Sequence, residues 1–311
     1  MSQLHLTSSP HIRKDITTQS IMLDVTMALI PALAAGTLIF GIRALLVVAV
    51  CVATAVASEF LWNLINKRAQ TIEDLSAVVT GLLLGLNLPA NVPIWQCVIG
   101  SVFAIIVVKC IFGGIGCNFV NPAITARVFM LIAFSSTMGK AAFPTFVESV
   151  DAVSGATPLN LIGTDKIPSI KDLLLGFNGG AIGETCAVAL LLGGIYLIAR
   201  KVITWHIPVS FIATVFISSL IFYDFNFMNA LSSVLSGGLL IGAIFMATDY
   251  VTSPTTAKGK LIFGIGAGVI TVLIRFWGGY PEGVSFAILL MNILNPYIDS
   301  MTQRKLFGGK K

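Results

Sequence analysis

Ten apolar runs follow one another along the chain, at roughly 20–41, 44–65, 75–90, 94–112, 121–136, 181–199, 206–223, 230–247, 261–277 and 284–299. A helical span needs roughly 20 mostly apolar residues, so the pattern predicts about ten transmembrane helices. Several runs are short and broken by Gly, Pro or Asn. Such breaks are tolerated at membrane depth where the freed backbone lines a protein-enclosed cavity. The polar stretches divide the chain into a segment 1–19, a five-helix unit 20–136, a loop 137–180, a second five-helix unit 181–299 and a tail 300–311.

The two units repeat each other. GLLLGLNLPA (81–90) resembles GLLIGAIFMATD (238–249), and VIGSVFAIIVVKCIFGGIGCNFVNPA (98–123) resembles FGIGAGVITVLIRFWGGYPEGVSFA (263–287), an offset of about 160 residues. Five spans per copy force the copies to be inverted, and inverted repeats with broken helices set their sites where the breaks meet. Two meeting points follow. Asn118–Pro122 is expected against Thr248–Pro254, and Leu88–Pro93 against Gly278–Gly283.

Composition agrees with the pattern. The 311 residues are 56% hydrophobic and 11% charged, with mean hydropathy +0.93. Soluble domains carry about a quarter charged residues. The class is therefore an all-α integral membrane protein, with no room for a sizeable soluble domain. The polar first twenty residues lack the apolar core of a signal peptide, so the first span is expected to direct insertion. With the N-terminus inside, Arg13, Lys14, Lys67, Arg68, Arg200, Lys201, Lys258, Lys260, Arg304, Lys305, Lys310 and Lys311 face the cytoplasm, 12 of the 19 basic residues. Arg43, Lys140, Lys166, Lys171 and Arg275 face out, while Lys109 and Arg127 lie in or near the fourth and fifth spans. The positive-inside rule thus sets both termini in the cytoplasm and the loop 137–180 outside. The net charge of +5 serves topology, not nucleic-acid binding.

No metal site or catalytic triad is apparent. Cys51, Cys97, Cys110, Cys117 and Cys186 form no C-x-x-C pair. Four read as small packing residues, and Cys117 lies in a glycine-rich turn. The chemistry is in the loop. Asp151, Ser154, Gly155, Ala156 and Thr157 match the D-x-x-[ST]-G-A-[ST] pattern of flavin transferase substrates. There a hydroxyl attacks the pyrophosphate of FAD, AMP leaves, and FMN remains as a phosphoester. Gly155 and Ala156 keep the strand slim for the transferase, and Thr157 supplies the hydroxyl.

The chain resembles the RnfD/NqrB family of flavin-bearing membrane subunits. SSPHIR (8–13), GGIGCNFVNPAITARVF (113–129), SGATPL (154–159), MATDYVTSPTTAKGKLIFG (246–264) and GGYPEGVSFAILLMN (278–292) carry the resemblance, nearly end to end. It implies FMN on Thr157 at the extracytoplasmic side of a bacterial or archaeal cell membrane. It further implies a non-covalent riboflavin near the cytoplasmic side, at Asn118, Asn121 and Asp249, with Thr248 and Lys258 as lesser candidates. Tyr250 stands where the family's turn is expected to have Pro. An outer pocket for the FMN ring is expected, from the repeat, around Asn87, Arg275, Tyr280 and Glu282. Arg275 reads equally as an interfacial snorkelling residue.

Asp24, Glu59 and Glu184 fall in or beside spans, where ionisable groups are costly, and are candidates for an ion path. Asp24 and Glu59 read equally as interfacial. The resemblance implies an electron relay from a partner's FMN to Thr157-bound FMN, to riboflavin, and on to a cytoplasmic partner that reduces NAD. One charge crossing the membrane involves about 2.3 kcal/mol per 100 mV, so the reaction can drive Na+ or H+ export. The implied partners are Rnf A-, B-, C-, E- and G-type subunits, a flavin transferase during maturation, and the lipid bilayer. The alternatives are the B subunit of a sodium-translocating NADH:quinone reductase and a passive transporter with a urea-channel-like fold. The first is expected to have a longer N-terminal region, and the second has no use for a flavinylation motif.

Overall fold

A computed structural model describes residues 17–139, 142–144, 158–162, 168–278 and 282–303. The described residues are helical, with one isolated bridge between Ala142 and Gly180. The main helices are α1 (Thr18–Phe40), α2 (Ile42–Ile65), α3 (Ser76–Leu86), α4 (Ile94–Cys110), α5 (Pro122–Ala133), the short α6 (Ile170–Leu175), α7 (Ala187–Ala199), α8 (His206–Phe222), α9 (Phe227–Leu235), α10 (Leu239–Met246), α11 (Ala257–Trp277) and α12 (Val284–Thr302), with single helical turns at Ile72–Asp74, Ser135–Met138 and Pro158–Leu161. Each predicted span thus has a helix. Among the described residues, only α1, α2, α11 and α12 are long and apolar enough to cross a membrane unaided, with α9 and α10 joining as one span bent by 63°.

Local signals explain the ends. Thr17 and Ser20 form a reciprocal capping box at the start of α1. Gly41, at φ 77, turns the chain between α1 and α2. Asn121 caps α5 through the N–H groups of Ala123 and Ile124, with Pro122 in the first turn, where a missing N–H costs nothing. Gly237, at φ 70, makes the bend between α9 and α10.

The solvent logic of a soluble protein is reversed. Leu38, Ile42 and Met301 are 80, 80 and 83% exposed, while Glu59, Lys109, Asn87 and Arg127 are buried. The outer faces suit lipid tails, and the polar groups satisfy each other inside. Between helices the drive is close packing rather than water exclusion, so small residues mark the contacts. On α3, Gly81 and Gly85 lie one turn apart against α2. A Cβ on Gly81 would stand 2.7 Å from Val52 Cα and one on Gly85 2.9 Å from Val48 Cα. Overpacking of this kind costs about 1–3 kcal/mol. Gly81→Ile is accordingly expected to lower the detergent melting temperature, and an unchanged melt would contradict the close α2–α3 contact.

The ends of α3 and α10 meet. Both follow from the repeat and both are short; α3 rises only about 17 Å, roughly half the hydrocarbon core. Asn87 Nδ2, just past α3, donates to Met246 Sδ at the end of α10 (3.4 Å). Two stretches of π-helix, Phe103–Cys110 and Gly242–Met246, flank this region, and such local widening is frequent at functional sites.

Candidate functional site

The NPA and ATD breaks come together as their pairing in the repeat predicts. Asn121 Nδ2 donates to Met246 carbonyl (3.3 Å), the last turn of α10. Asn292 on α12 completes the junction, its amide nitrogen donating to Thr252 carbonyl (3.2 Å) and its oxygen accepting from Asn121 N–H (3.1 Å). Beside the junction lies a cavity of about 390 Å³. Its walls include Asn118, Asn121, Thr248 and Asp249, together with Val79, Leu83, Phe245, Ser76 and Lys109. Apolar walls with a few convergent polar groups, at this volume, are the usual form of a small-molecule site.

The polar residues differ in role. Asn121 spends its oxygen on the cap of α5 and its nitrogen on α10, so it sets the cavity's shape. Asn118 Nδ2 donates to Val120 carbonyl (3.0 Å). Asp249 lies in the loop between α10 and α11, where one carboxylate oxygen accepts from Thr252 Oγ1 (3.0 Å). Burial raises the Asp249 carboxyl above the ordinary carboxylate range, against the lowering by that hydroxyl and by the N–H groups of Val251 and Tyr250. Tyr250, where Pro is expected, donates its hydroxyl to Val202 carbonyl and so ties the ATD turn to the chain after α7. Lys258 sits in the first turn of α11 and does not line the cavity.

Lys109 enters the sequence reading through topology only, yet its charge inside an apolar run is a signal of a site. Its Nζ bonds Glu59 Oε2 (2.8 Å) and Ser76 Oγ, and Glu59 Oε1 accepts from Thr71 Oγ1 (2.6 Å). Both ions are about 3% exposed. Glu59 is thus buried and paired with Lys109 inside the protein. Lys109→Met leaves that carboxylate buried without its cation, at a cost of about 3 kcal/mol, the lower end for a broken buried pair because Thr71 remains. The double variant with Glu59→Gln should recover most of the loss in a thermal melt. No recovery would mean that packing, and not charge, holds the region.

A second cluster lies around the end of α3. Arg127 on α5 reaches Asn87 Oδ1 through Nη1 and Glu282 Oε2 through Nη2. Glu184 Oε2 stands 3.8 Å from Arg127 Nη2, and Glu184 Oε1 accepts from Ala181 N–H (2.8 Å). Arg275 on α11 turns inward. It donates to the carbonyls of Ser233 (2.6 Å), Ser236 (3.4 Å) and Glu282 (3.4 Å). A cation over the carbonyl end of α9 is favourably placed, and this position differs from a snorkelling one. Two carbonyls freed at the α3 break find partners just before α7. Leu86 and Leu88 carbonyls accept from Gly183 N–H (2.7 Å) and Ile182 N–H (3.1 Å). The segment before α7 therefore meets that break, and Arg127 bridges from Asn87 to Glu282.

Asn87 is 1% exposed and acts as a strut between α3, α5 and α10 rather than as an open pocket wall. Arg127, absent from the sequence candidates, is the centre of the cluster. Asp24 accepts from Tyr196 hydroxyl (2.9 Å) and pairs with Arg200 (3.3 Å), which ties α1 to α7. Asp24, Glu59 and Glu184 thus stand in three clusters that share no partner in these contacts. Thr157, Asp151, Ser154, Gly155, Ala156 and Tyr280 lie outside the described residues. The chain after Thr157 is described. Leu159 and the side chains of Arg275 and Glu282 converge on Gly237: a Cβ there would lie 3.6 Å from Leu159 Cδ2, 3.6 Å from Arg275 Nη2 and 3.8 Å from Glu282 Cγ.

The NQR2, RnfD, RnfE family model matches residues 5–308. The chain belongs to that family. Among relatives, it is 47% identical to the D subunit of the Na(+)-translocating ferredoxin:NAD(+) oxidoreductase complex of Acetobacterium woodii, over 100% of this chain and 98% of the relative. It is 41% identical to the D subunit of the proton-translocating ferredoxin:NAD(+) oxidoreductase complex of Clostridium ljungdahlii, over 98 and 96%. It is 37% identical to the D subunit of an ion-translocating oxidoreductase complex of Shewanella amazonensis, over 98 and 98%. Family membership and the helices agree on a multi-pass membrane protein.

Proposed function

We propose that the chain is the flavin-bearing, electron-relaying D-type subunit of an ion-translocating ferredoxin:NAD oxidoreductase complex. The observation that carries this reading is the cavity. Asn118, Asn121, Thr248 and Asp249 come from stretches more than a hundred residues apart and line one space of small-molecule size. Amides, a hydroxyl and a carboxylate suit the pyrimidine edge and ribityl hydroxyls of riboflavin, and the apolar walls suit its ring. The approach of Leu159 to Arg275 and Glu282 supports an FMN pocket at the second cluster, since Thr157 is only two residues away, at most about 7 Å of chain. When bound, the flavins supply the electron transfer, while the protein supplies orientation and electrostatics.

In this reading Asn121 and Asn292 hold the cavity open between α5, α10 and α12. Asp249 and Asn118 orient the ligand edge, and Arg275 offers positive charge to the FMN pocket. The loop 137–180 faces the outside and both termini the cytoplasm, with two inverted five-helix units between. Partner subunits of A, B, C, E and G type supply the other redox centres, and a flavin transferase loads Thr157.

Purified protein co-expressed with a flavin transferase should give a band that fluoresces on a denaturing gel. Denaturation should also release free riboflavin, and Asp249→Leu should reduce that released flavin several-fold while leaving the band bright. A dark wild-type band, with the transferase active on a control substrate, would sink the proposal in favour of a transporter.

A further inference from the structure

The second cluster contains two acceptor atoms that the relay leaves unused. Glu184 Oε2 and Glu282 Oε1 are buried and accept no hydrogen bond among the described residues. Both face the same backbone position. A Cβ on Gly238 would stand 3.4 Å from Glu184 Oε2, 3.2 Å from Arg127 Nη1, and in hard contact with Glu282 Oε1. Only a glycine leaves that space to the carboxylates. The two acids are not equivalent. Glu282 is tied to Arg127, whereas Glu184 is held by one N–H and keeps Oε2 beyond hydrogen-bond reach of the guanidinium. The Glu184 side chain is 10% exposed.

Among the described residues, the charged groups facing this space are Arg127 from α5, Arg275 from α11, Glu184 before α7 and Glu282 before α12, with the Tyr223 phenol after α8 near Arg275. These two cations and two anions, among the described residues, balance. An added negative charge beside them, where the Arg127 and Glu184 side chains are about nine-tenths buried, is offset at short range by a mobile cation. The most economical one is a proton on Glu184 Oε2, which accepts from no described donor and belongs to the acid not hydrogen-bonded to Arg127.

We infer that Glu184 is a proton-accepting site, set in place by Arg127 and Glu282 beside Gly238, that is loaded when an electron arrives at the flavin on the adjoining loop. The inference rests on the proposed flavin at Thr157. The balance is simple. One electron enters from a ferredoxin-class donor by way of the complex, one proton enters from water, an O–H bond forms at Glu184 Oε2, and the charge of the pocket is unchanged. Reoxidation returns the proton. Arg127 and Glu282 are positioning residues in this scheme.

Redox-induced infrared difference spectroscopy on the flavinylated protein, reduced with dithionite, reads the step directly. Wild type is expected to gain a protonated-carboxyl band on reduction, which moves in heavy water. Glu184→Gln should lose the band, Glu184→Asp should keep it at a shifted position, and Glu282→Gln should move it without removing it. Absence of the band in wild type, or its survival in Glu184→Gln, overturns the inference. Suppression of the band by sodium also overturns it, because the cluster would then hold a metal cation rather than a proton. Should Glu184→Gln fail to fold, the shift in Glu184→Asp still decides. The same samples are run on a denaturing gel. A fluorescent protein without the band refutes only the proton site, whereas a dark protein refutes the flavin reading and this one with it.

Discussion

Thr157→Ala is expected to abolish covalent flavin completely. The attacking group in the transfer is a side-chain hydroxyl, and alanine has none, so no phosphoester forms however well the transferase binds the loop. Thr157→Ser restores a hydroxyl on the same carbon and should restore the fluorescent band. Ser154 remains in both variants, so a bright Thr157→Ala band would show that Ser154 or another residue is the acceptor. Mass analysis of the peptide spanning 151–159 would then find it. Thr157 lies more than ninety residues from Asp249 in the sequence, and the described walls of the proposed riboflavin cavity come from other stretches. The released riboflavin should therefore be unchanged. This separates loss of the tether from loss of the fold.

Arg127→Leu is the second large effect, on stability rather than on flavin attachment. The guanidinium serves Asn87, Glu282 and, at longer range, Glu184. Leucine fills part of the volume but leaves two carboxylates and an amide oxygen without their cation. Breaking a buried pair costs about 3–5 kcal/mol, and the upper end is expected where two anions are stranded. The melting temperature in detergent should fall sharply. Glu282→Gln in the same chain should return part of the loss, because one stranded charge is then removed. A melt close to wild type would mean that the cluster is hydrated and weakly coupled. Arg127→Lys is a sharper control. It keeps the charge but cannot fork between Asn87 and Glu282, so an intermediate melt is expected.

The two clusters differ in how far they could be read in advance. The cavity residues lie at Asn- and Pro-containing breaks that match across the repeat, and paired breaks come together in inverted repeats. Arg127 and Lys109 were visible as charges within apolar runs, but their partners were not. Glu59 is 50 residues from Lys109 and Glu282 is 155 from Arg127. No periodicity links such positions. Likewise, nothing local to GETC near residue 184 announces that the preceding N–H groups satisfy carbonyls at Leu86 and Leu88.

The sequence by itself determined the solvent. Long apolar runs with few charges have no stable home in water, so a lipid-embedded helical bundle follows from composition and spacing. It also determined where helices stop, because Asn, Pro and Gly act through their own backbone and first neighbours. The proposed flavin-attachment stretch, residues 151–157, is legible for the same reason, being one short pattern. Only the tertiary structure decided which charge meets which. In a core without water each buried ion must find its partner, and those partners come from helices distant in the chain. That requirement joined Lys109 to Glu59, placed Arg127 between Asn87 and Glu282, and left Glu184 Oε2 beside Gly238.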